Sequence, residues 1–222
     1  EEHLPFEADA HGRFPASQGL AYQHGFLQQP LVDLWTLELK KRLQQKFPQL
    51  EFPTRTAHFL PTYDIDQAWA YRYKPWWRTL GGFAKALGRQ DWSRLRERWQ
   101  VHLRQQPDPF FTFPYLDDLH EQFELRPMYF FLLGKHGAYD KNIDPKQPAF
   151  RQLIQQLSER YPVGIHPSYQ SNADPTLVQT EIQRLRSITG RAVTQSRQHF
   201  LKLRFPQTYR RLLEAGIQED YS

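Results

Sequence analysis

Between residues 60 and 69 the chain reads LPTYDIDQAW, which sets Asp64 and Asp66 two positions apart behind an apolar approach. In an extended strand, residues i and i+2 project to the same side. Two carboxylates aimed at one place repel each other unless a cation or an arginine stands between them. Three later stretches offer partners: His166 in VGIHPSY, Arg197 and His199 in AVTQSRQHFL, and Asp220 in GIQEDYS. A divalent ion held by one carboxylate and by imidazoles explains how two acids can share a side. Such an ion polarises a carbonyl and acidifies a bound water, and the second carboxylate can then act as general base. Arg197 would keep that base charged and oriented. Together these residues are the parts of a metal-assisted hydrolase.

Other chemistries are not supported. The chain has no cysteine, so thiolate metal centres and disulfides are excluded and any ion must be held by His, Asp, Glu or water. No Gly-x-Ser-x-Gly elbow and no Gly-rich phosphate loop occurs. His120-Glu121 opens like a zinc-protease helix, but Glu124 stands where the second histidine belongs, which leaves a helix with exposed charges. Each candidate also has a purely structural alternative. Asp64 and Asp66 could cap a strand end and pair with a cation, and His166 could terminate its strand on a backbone group. Arg197 could pair with Asp220 or Asp64, and His199 could be a core histidine. Trp69, Tyr71 and Tyr169 could stack on sugar rings or lie buried as ordinary aromatics.

The elements that must position these residues follow from periodicity. Residues 1–30 show little pattern. PLVDLWTLELKKRLQQKFP (30–48) is a helix with Leu31, Leu34, Trp35, Leu37, Leu39 and Leu43 on a broad apolar stripe. Residues 56–66 read as a buried strand ending at the two aspartates. Residues 67–105 read as helical, broken at Gly81-Gly82 and at Leu87-Gly88. Within them, Trp92, Leu95, Trp99 and Leu103 form the inner face of an amphipathic helix whose arginines point to solvent. A helix then precedes RPMYFFLLG (126–134), a continuous apolar run expected of a strand buried on both faces. A helix with Phe150, Leu153, Ile154, Leu157 and Tyr161 on one face leads to a third strand, VGIHPSY. Asp174 as N-cap, Pro175 at the first helical position and Gly190 at the end bound the next helix. AVTQSRQHFL is a fourth strand, and a last helix turns through Gly216 into a fifth.

From residue 56 onward this is alternating β and α, which predicts a parallel sheet or barrel with outer helices. Functional residues on such folds gather at the C-terminal ends of the strands, where all six polar candidates fall. The expected division is residues 1–50, a linker or the end of an N-terminal domain with one helix, and 51–222, an α/β domain. The 222 residues are 15% aromatic, too rich for a disordered chain. No apolar run is long enough to span a membrane and no leader pattern is visible, so a cytoplasmic location is expected. The net charge of +5 belongs to solvated helix faces and does not imply a specific nucleic-acid partner.

These same stretches carry a resemblance. TYDID resembles the first motif of the polysaccharide deacetylase group (NodB homology, carbohydrate esterase family 4), usually T-F/Y-D-D. VGIHPSY resembles the second motif, SRQHFL sits where the third places an arginine at the groove wall, and GIQEDYS resembles the start of the fourth. The likeness covers roughly 56–222 and is closest to a bacterial branch with a separate N-terminal domain. It implies a deformed (β/α) barrel, here partial with about five parallel strands. The implied activity is metal-dependent removal of acyl groups from a carbohydrate or polysaccharide. The alternatives are a non-catalytic relative that binds glycan or acts as a scaffold, and an anion- or nucleic-acid-binding protein. Carried over by position, Asp64 is the base, Asp66 and His166 are metal ligands, Arg197 holds the base and Asp220 buttresses that arginine. The ion is expected to be zinc, with cobalt, manganese or nickel as alternatives. The family's second histidine ligand would fall at 170, which here is Gln170. The motif bearing its acid histidine would lie beyond Ser222, so the chain is expected to be a fragment. Catalytic zinc normally takes three protein ligands. Because His199 follows Arg197 by two in an expected strand, His199 is the expected third ligand, ahead of Gln170 or water.

Overall fold

The computed structural model describes residues 5–54 and 56–222. The chain divides into two compact units, the first ending at Phe59 and the second spanning Leu60–Ser222. The first unit contains a short helix α1 (Leu20–Gln23) and the longer α2 (Leu31–Lys46), which starts directly behind Pro30. Its apolar stripe forms as the spacing predicts but none of its residues is buried, and Trp35 is 65% exposed. Among the described residues no helix is long and apolar enough to cross a membrane.

The second unit is α/β. Five strands, β1 (Thr62–Ile65), β2 (Met128–Phe131), β3 (Val163–Ile165), β4 (Gln195–Ser196) and β5 (Glu219–Asp220), make one parallel sheet in the order β1-β2-β3-β4-β5. Strand order that never reverses is the progression of a (β/α) barrel, whereas doubly wound sheets step back across a switch point. Each parallel step needs a crossover. The first runs through α3 (Trp76–Gly88), α4 (Trp92–His102) and α5 (Phe113–Gln122), and the others through α6 (Pro148–Arg160), α7 (Pro175–Thr189) and α8 (Gln207–Glu214).

The run MYFFLL forms the centre because it is apolar on both faces: Tyr129 through Leu133 are fully buried. Around it pack Phe150, Leu153, Ile154 and Leu157 of α6 and Val178, Leu185 and Ile188 of α7. Gly164 of β3 lets its neighbours close in, since a Cβ there would lie 2.6 Å from the Phe130 ring and 2.8 Å from the Gln195 carbonyl oxygen. α7 is bounded as expected, with the Asp174 side chain accepting from the Thr176 N–H and Gly190 left-handed at φ 68°.

Two expectations fail in the first crossover. α3 runs straight through Gly81-Gly82, because the bare Cα of Gly82 accommodates the Arg98 guanidinium where a side chain would collide. α4 is a helix, but Trp92 and Trp99 face outward at 65% and 61% exposure, and its buried residue is Val101. Trp69 and Tyr71 are not available to stack on a sugar. Both are buried: Trp69 stacks on Phe111 at 5.6 Å, and the Tyr71 hydroxyl donates to Glu97 at 2.6 Å. The segment after β1 is pinned by buried Asp108, whose carboxylate accepts the backbone N–H groups of Ala70, Tyr71, Arg72 and Phe110. That anchorage fixes the loop that leaves Asp66.

Candidate metal centre

The two aspartates occupy the mouth of β1, Asp64 within the strand and Asp66 just past it. The alternation of the strand brings both to one side. The Nε2 of His166 lies 4.0 Å from an Asp64 carboxylate oxygen and 3.5 Å from Asp66 Oδ1. His166 follows β3 directly, and its own N–H extends the ladder to the Phe131 carbonyl at 2.9 Å. Its ring is 3% exposed, and Nδ1 points at the Arg197 carbonyl oxygen at 2.6 Å.

His199 arrives by a different route from the one its spacing suggests. β4 ends at Ser196, and His199 opens a 3-10 turn, His199–Leu201. Within the turn Phe200 (φ 61°) and Leu201 (φ 47°) both adopt the left-handed region. The turn still delivers the ring, 6% exposed, with Nδ1 2.9 Å from His166 Nε2 and 3.7 Å from Asp66 Oδ1. Its Nε2 faces the Tyr139 carbonyl at 3.2 Å. Asp66, His166 and His199 thus form one cluster, with one ligand atom from each within 4.8 Å of the others. Gln170 is not part of it. Its exposed side chain lies against Gly137.

The hydrogen bonds fix what these atoms can offer. A carbonyl oxygen only accepts, so His166 carries its proton on Nδ1 and His199 carries its proton on Nε2. The remaining nitrogens, His166 Nε2 and His199 Nδ1, then turn lone pairs toward each other. Asp66 Oδ1 joins them, buried and without a hydrogen-bond partner. Three acceptors converge with no donor between them, an arrangement that is costly unless a cation is shared. Burial pushes the His166 imidazole below its ordinary pKa, against the opposing pull of Asp64 and Asp66. It therefore favours the neutral ring that a metal requires.

Arg197 stands on the Asp64 side. Its Nη1 donates to Thr62 Oγ1 at 2.8 Å and lies 3.5 Å from Asp64 Oδ1, while Nε donates to the Tyr221 carbonyl at 3.0 Å. Asp220 does not buttress it. Asp220 pairs directly across from Ser196, whose hydroxyl donates to its carboxylate at 2.5 Å. Arg197, one residue on, projects from the opposite face.

Asp140 is a residue the sequence reading missed. It is fully buried, accepts the Tyr169 N–H at 2.7 Å, and has an oxygen 3.9 Å from His199 Nε2. It follows Tyr139, whose carbonyl orients His199, in the connection leaving β2. The signal available was its place after a strand's C-terminal end, where such folds keep functional loops.

A family of unknown function (DUF7033) matches residues 1–48. Among curated proteins none matches the chain. Among solved structures the chain is similar to the crystal structure of a "putative polysaccharide deacetylase" from Mycobacterium smegmatis. The TM-score is 0.44 and the identity 14%, covering 77% of this chain and 53% of that one. The chain therefore spans about half the length of that structure.

Proposed function

We propose that the second unit is a metal-dependent hydrolase of the NodB-homology deacetylase type, removing acyl groups from a carbohydrate. The observation that carries this reading is the convergence of His166 Nε2 and His199 Nδ1, 2.9 Å apart, on Asp66 Oδ1, which is buried without a hydrogen-bond partner 3.5 and 3.7 Å from them. One carboxylate and two neutral imidazoles suit zinc, and also cobalt, manganese or nickel. An ion held there supplies Lewis-acid polarisation of the acyl carbonyl and acidification of water. Asp64, on the Arg197 side of the cluster, is placed to take the proton of the attacking water. Arg197, itself anchored on Thr62 and the Tyr221 carbonyl, holds Asp64 in orientation. The carbonyls of Arg197 and Tyr139 fix both histidine tautomers, so neither ring needs to shed a proton to bind an ion. The order of the four sequence motifs supports an acylated glycan as substrate. Asp220 supports the sheet through Ser196 and has no catalytic part in this reading.

Calorimetric titration with zinc, cobalt, manganese and nickel ions tests the centre, and hydrolysis of an acetylated oligosaccharide tests the base. Asp66→Ala should abolish ion binding. Asp64→Asn should keep the ion while kcat falls on the order of 10²–10⁴-fold. Undiminished ion affinity in Asp66→Ala would refute the centre, and undiminished kcat in Asp64→Asn would refute the base.

A further inference from the structure

Near the metal centre lies a second cavity, walled by Asn172 at the end of one turn, by Lys202 directly after another, and by the start of α8. One turn, Tyr169–Asn172, follows His166, and the other is His199–Leu201. The cavity has a volume of about 320 Å³, within the range of small-ligand sites, and Asn172, Lys202, Arg204, Gln207 and Arg211 line it. Three of these side chains are cations and no acid lines the space. Among the described residues none of the three forms an ion pair. Lys202 Nζ sits over the Tyr169 ring at 4.0 Å, and Arg211 Nη1 donates to the Asn172 carbonyl at 3.0 Å. The Asn172 side-chain nitrogen is buried with no hydrogen-bond partner. Gln207 opens α8, so the positive end of that helix dipole also lies at the cavity. Three cations without an ion-pair partner and a helix N-terminus favour a negative ligand.

The connection to the metal centre is short. The Lys202 N–H donates to the His199 carbonyl at 3.3 Å, so the anion-facing lysine and the metal-facing histidine close one turn. The Phe200 ring packs against His199 at 4.7 Å and against Tyr169 at 5.3 Å, which fills the interval between the two.

We propose that this cavity binds an acidic group of the glycan being deacylated, so that the substrate is an anionic acylated polysaccharide rather than a neutral one. This rests on the deacetylase reading and names its substrate class. Acyl cleavage at the metal centre and recognition of a carboxylate, sulfate or phosphate on the same chain would then be paired in one encounter.

The test uses the full chain without added metal and with non-acetylated probes, so it does not depend on turnover. Oligogalacturonate, a chondroitin sulfate fragment and a poly(glycerol phosphate) fragment are titrated calorimetrically against a neutral chito-oligosaccharide of similar length. At least one anionic probe should bind at least about tenfold more tightly than the neutral one, and the strongest binder identifies the acidic group. Lys202→Gln and Arg204→Gln should each weaken it on the order of tenfold, the effect of removing one charged hydrogen bond. Arg204 is exposed, so its variant tests the cavity without risk to folding. Asp66→Ala should leave this binding unchanged. Equal binding of neutral and anionic probes, tighter binding of single-stranded RNA, or anion binding untouched by both cation variants would overturn the proposal. Loss of ion uptake with anion binding intact would count against the metal reading alone.

Discussion

Glu181 of α7 is 1% exposed and supports the turn that follows His166, accepting the Ser168 N–H at 2.9 Å and the Ser168 hydroxyl at 2.6 Å. Burial raises its pKa from 4.5 to about 7, ahead of the lowering effect of the two Ser168 hydrogen bonds. The sign follows from proton linkage. Between pH 4.5 and about 7 the folded protein holds a proton that the unfolded chain has released, so stability falls as pH rises through that window. Below it both states are protonated, and above it both are ionised and the loss is complete. At about 1.36 kcal/mol per pKa unit, a rise of about 2.5 corresponds to a loss of roughly 3 kcal/mol. Glu181→Gln removes the titration. Any change in its hydrogen bonds adds a constant offset, which a slope does not see. Urea melts of both proteins from pH 4.5 to 8 should show wild type losing about 3 kcal/mol relative to the variant across that range. Other carboxylates titrate in both proteins and cancel in the difference. Curves that stay parallel within about 0.5 kcal/mol would refute the argument.

Two further outcomes follow from contacts around the centre. Arg197→Ala removes charged hydrogen bonds to Thr62 and to the Tyr221 carbonyl, but Asp64 is 37% exposed and water can replace its partner. The loss in urea melts should therefore be about 1–3 kcal/mol, and one below about 0.5 kcal/mol would mean that the arginine does not anchor the rim. Gly164→Ala drives a methyl group into the Phe130 ring and the Gln195 carbonyl and should cost about 1–3 kcal/mol or more by overpacking. An unchanged melting midpoint would show that β3 and β4 can separate without penalty.

The sequence made some of this legible and not the rest, for definable reasons. Asp64 and Asp66 were readable because strand alternation is a local rule, and it holds here. His166 was readable as the residue closing a short apolar strand. His199 does reach the side of Asp66 and His166, but not by the route its spacing suggested. The extended segment imagined around it ends at Ser196, and a turn with two left-handed residues brings the ring in instead. No pattern of residue types announces Phe200 or Leu201 in that conformation. Asp220 failed on register. It faces Ser196 across the ladder, and a one-residue offset separates it from Arg197. Asp140 was missed because its place after β2 was the one local signal, while its partners, Tyr169 and His199, lie far along the chain. The inward face assigned to α4 failed because helical periodicity finds an apolar stripe without saying what will cover it, and Trp92 and Trp99 remain exposed.

The left-handed pair also explains why the centre and the cationic cavity belong together. Bulky residues at positive φ each cost about 1–3 kcal/mol and persist only where surrounding packing imposes them. Here the packing is aromatic. Phe200 meets Tyr139 at 5.6 Å and Tyr169 at 5.3 Å, and those two rings meet at 4.4 Å. Tyr139 supplies the carbonyl that sets the His199 tautomer, and Tyr169 lies beneath Lys202. The ring cluster that holds the strained turn therefore positions His199 on one side and Lys202 on the other. A relaxed backbone at Phe200 and Leu201 would alter the direction of the turn and move both groups at once. The strain is offset by contacts that fix the spacing between the two sites, as a substrate with its acidic and acyl groups at a set separation would require.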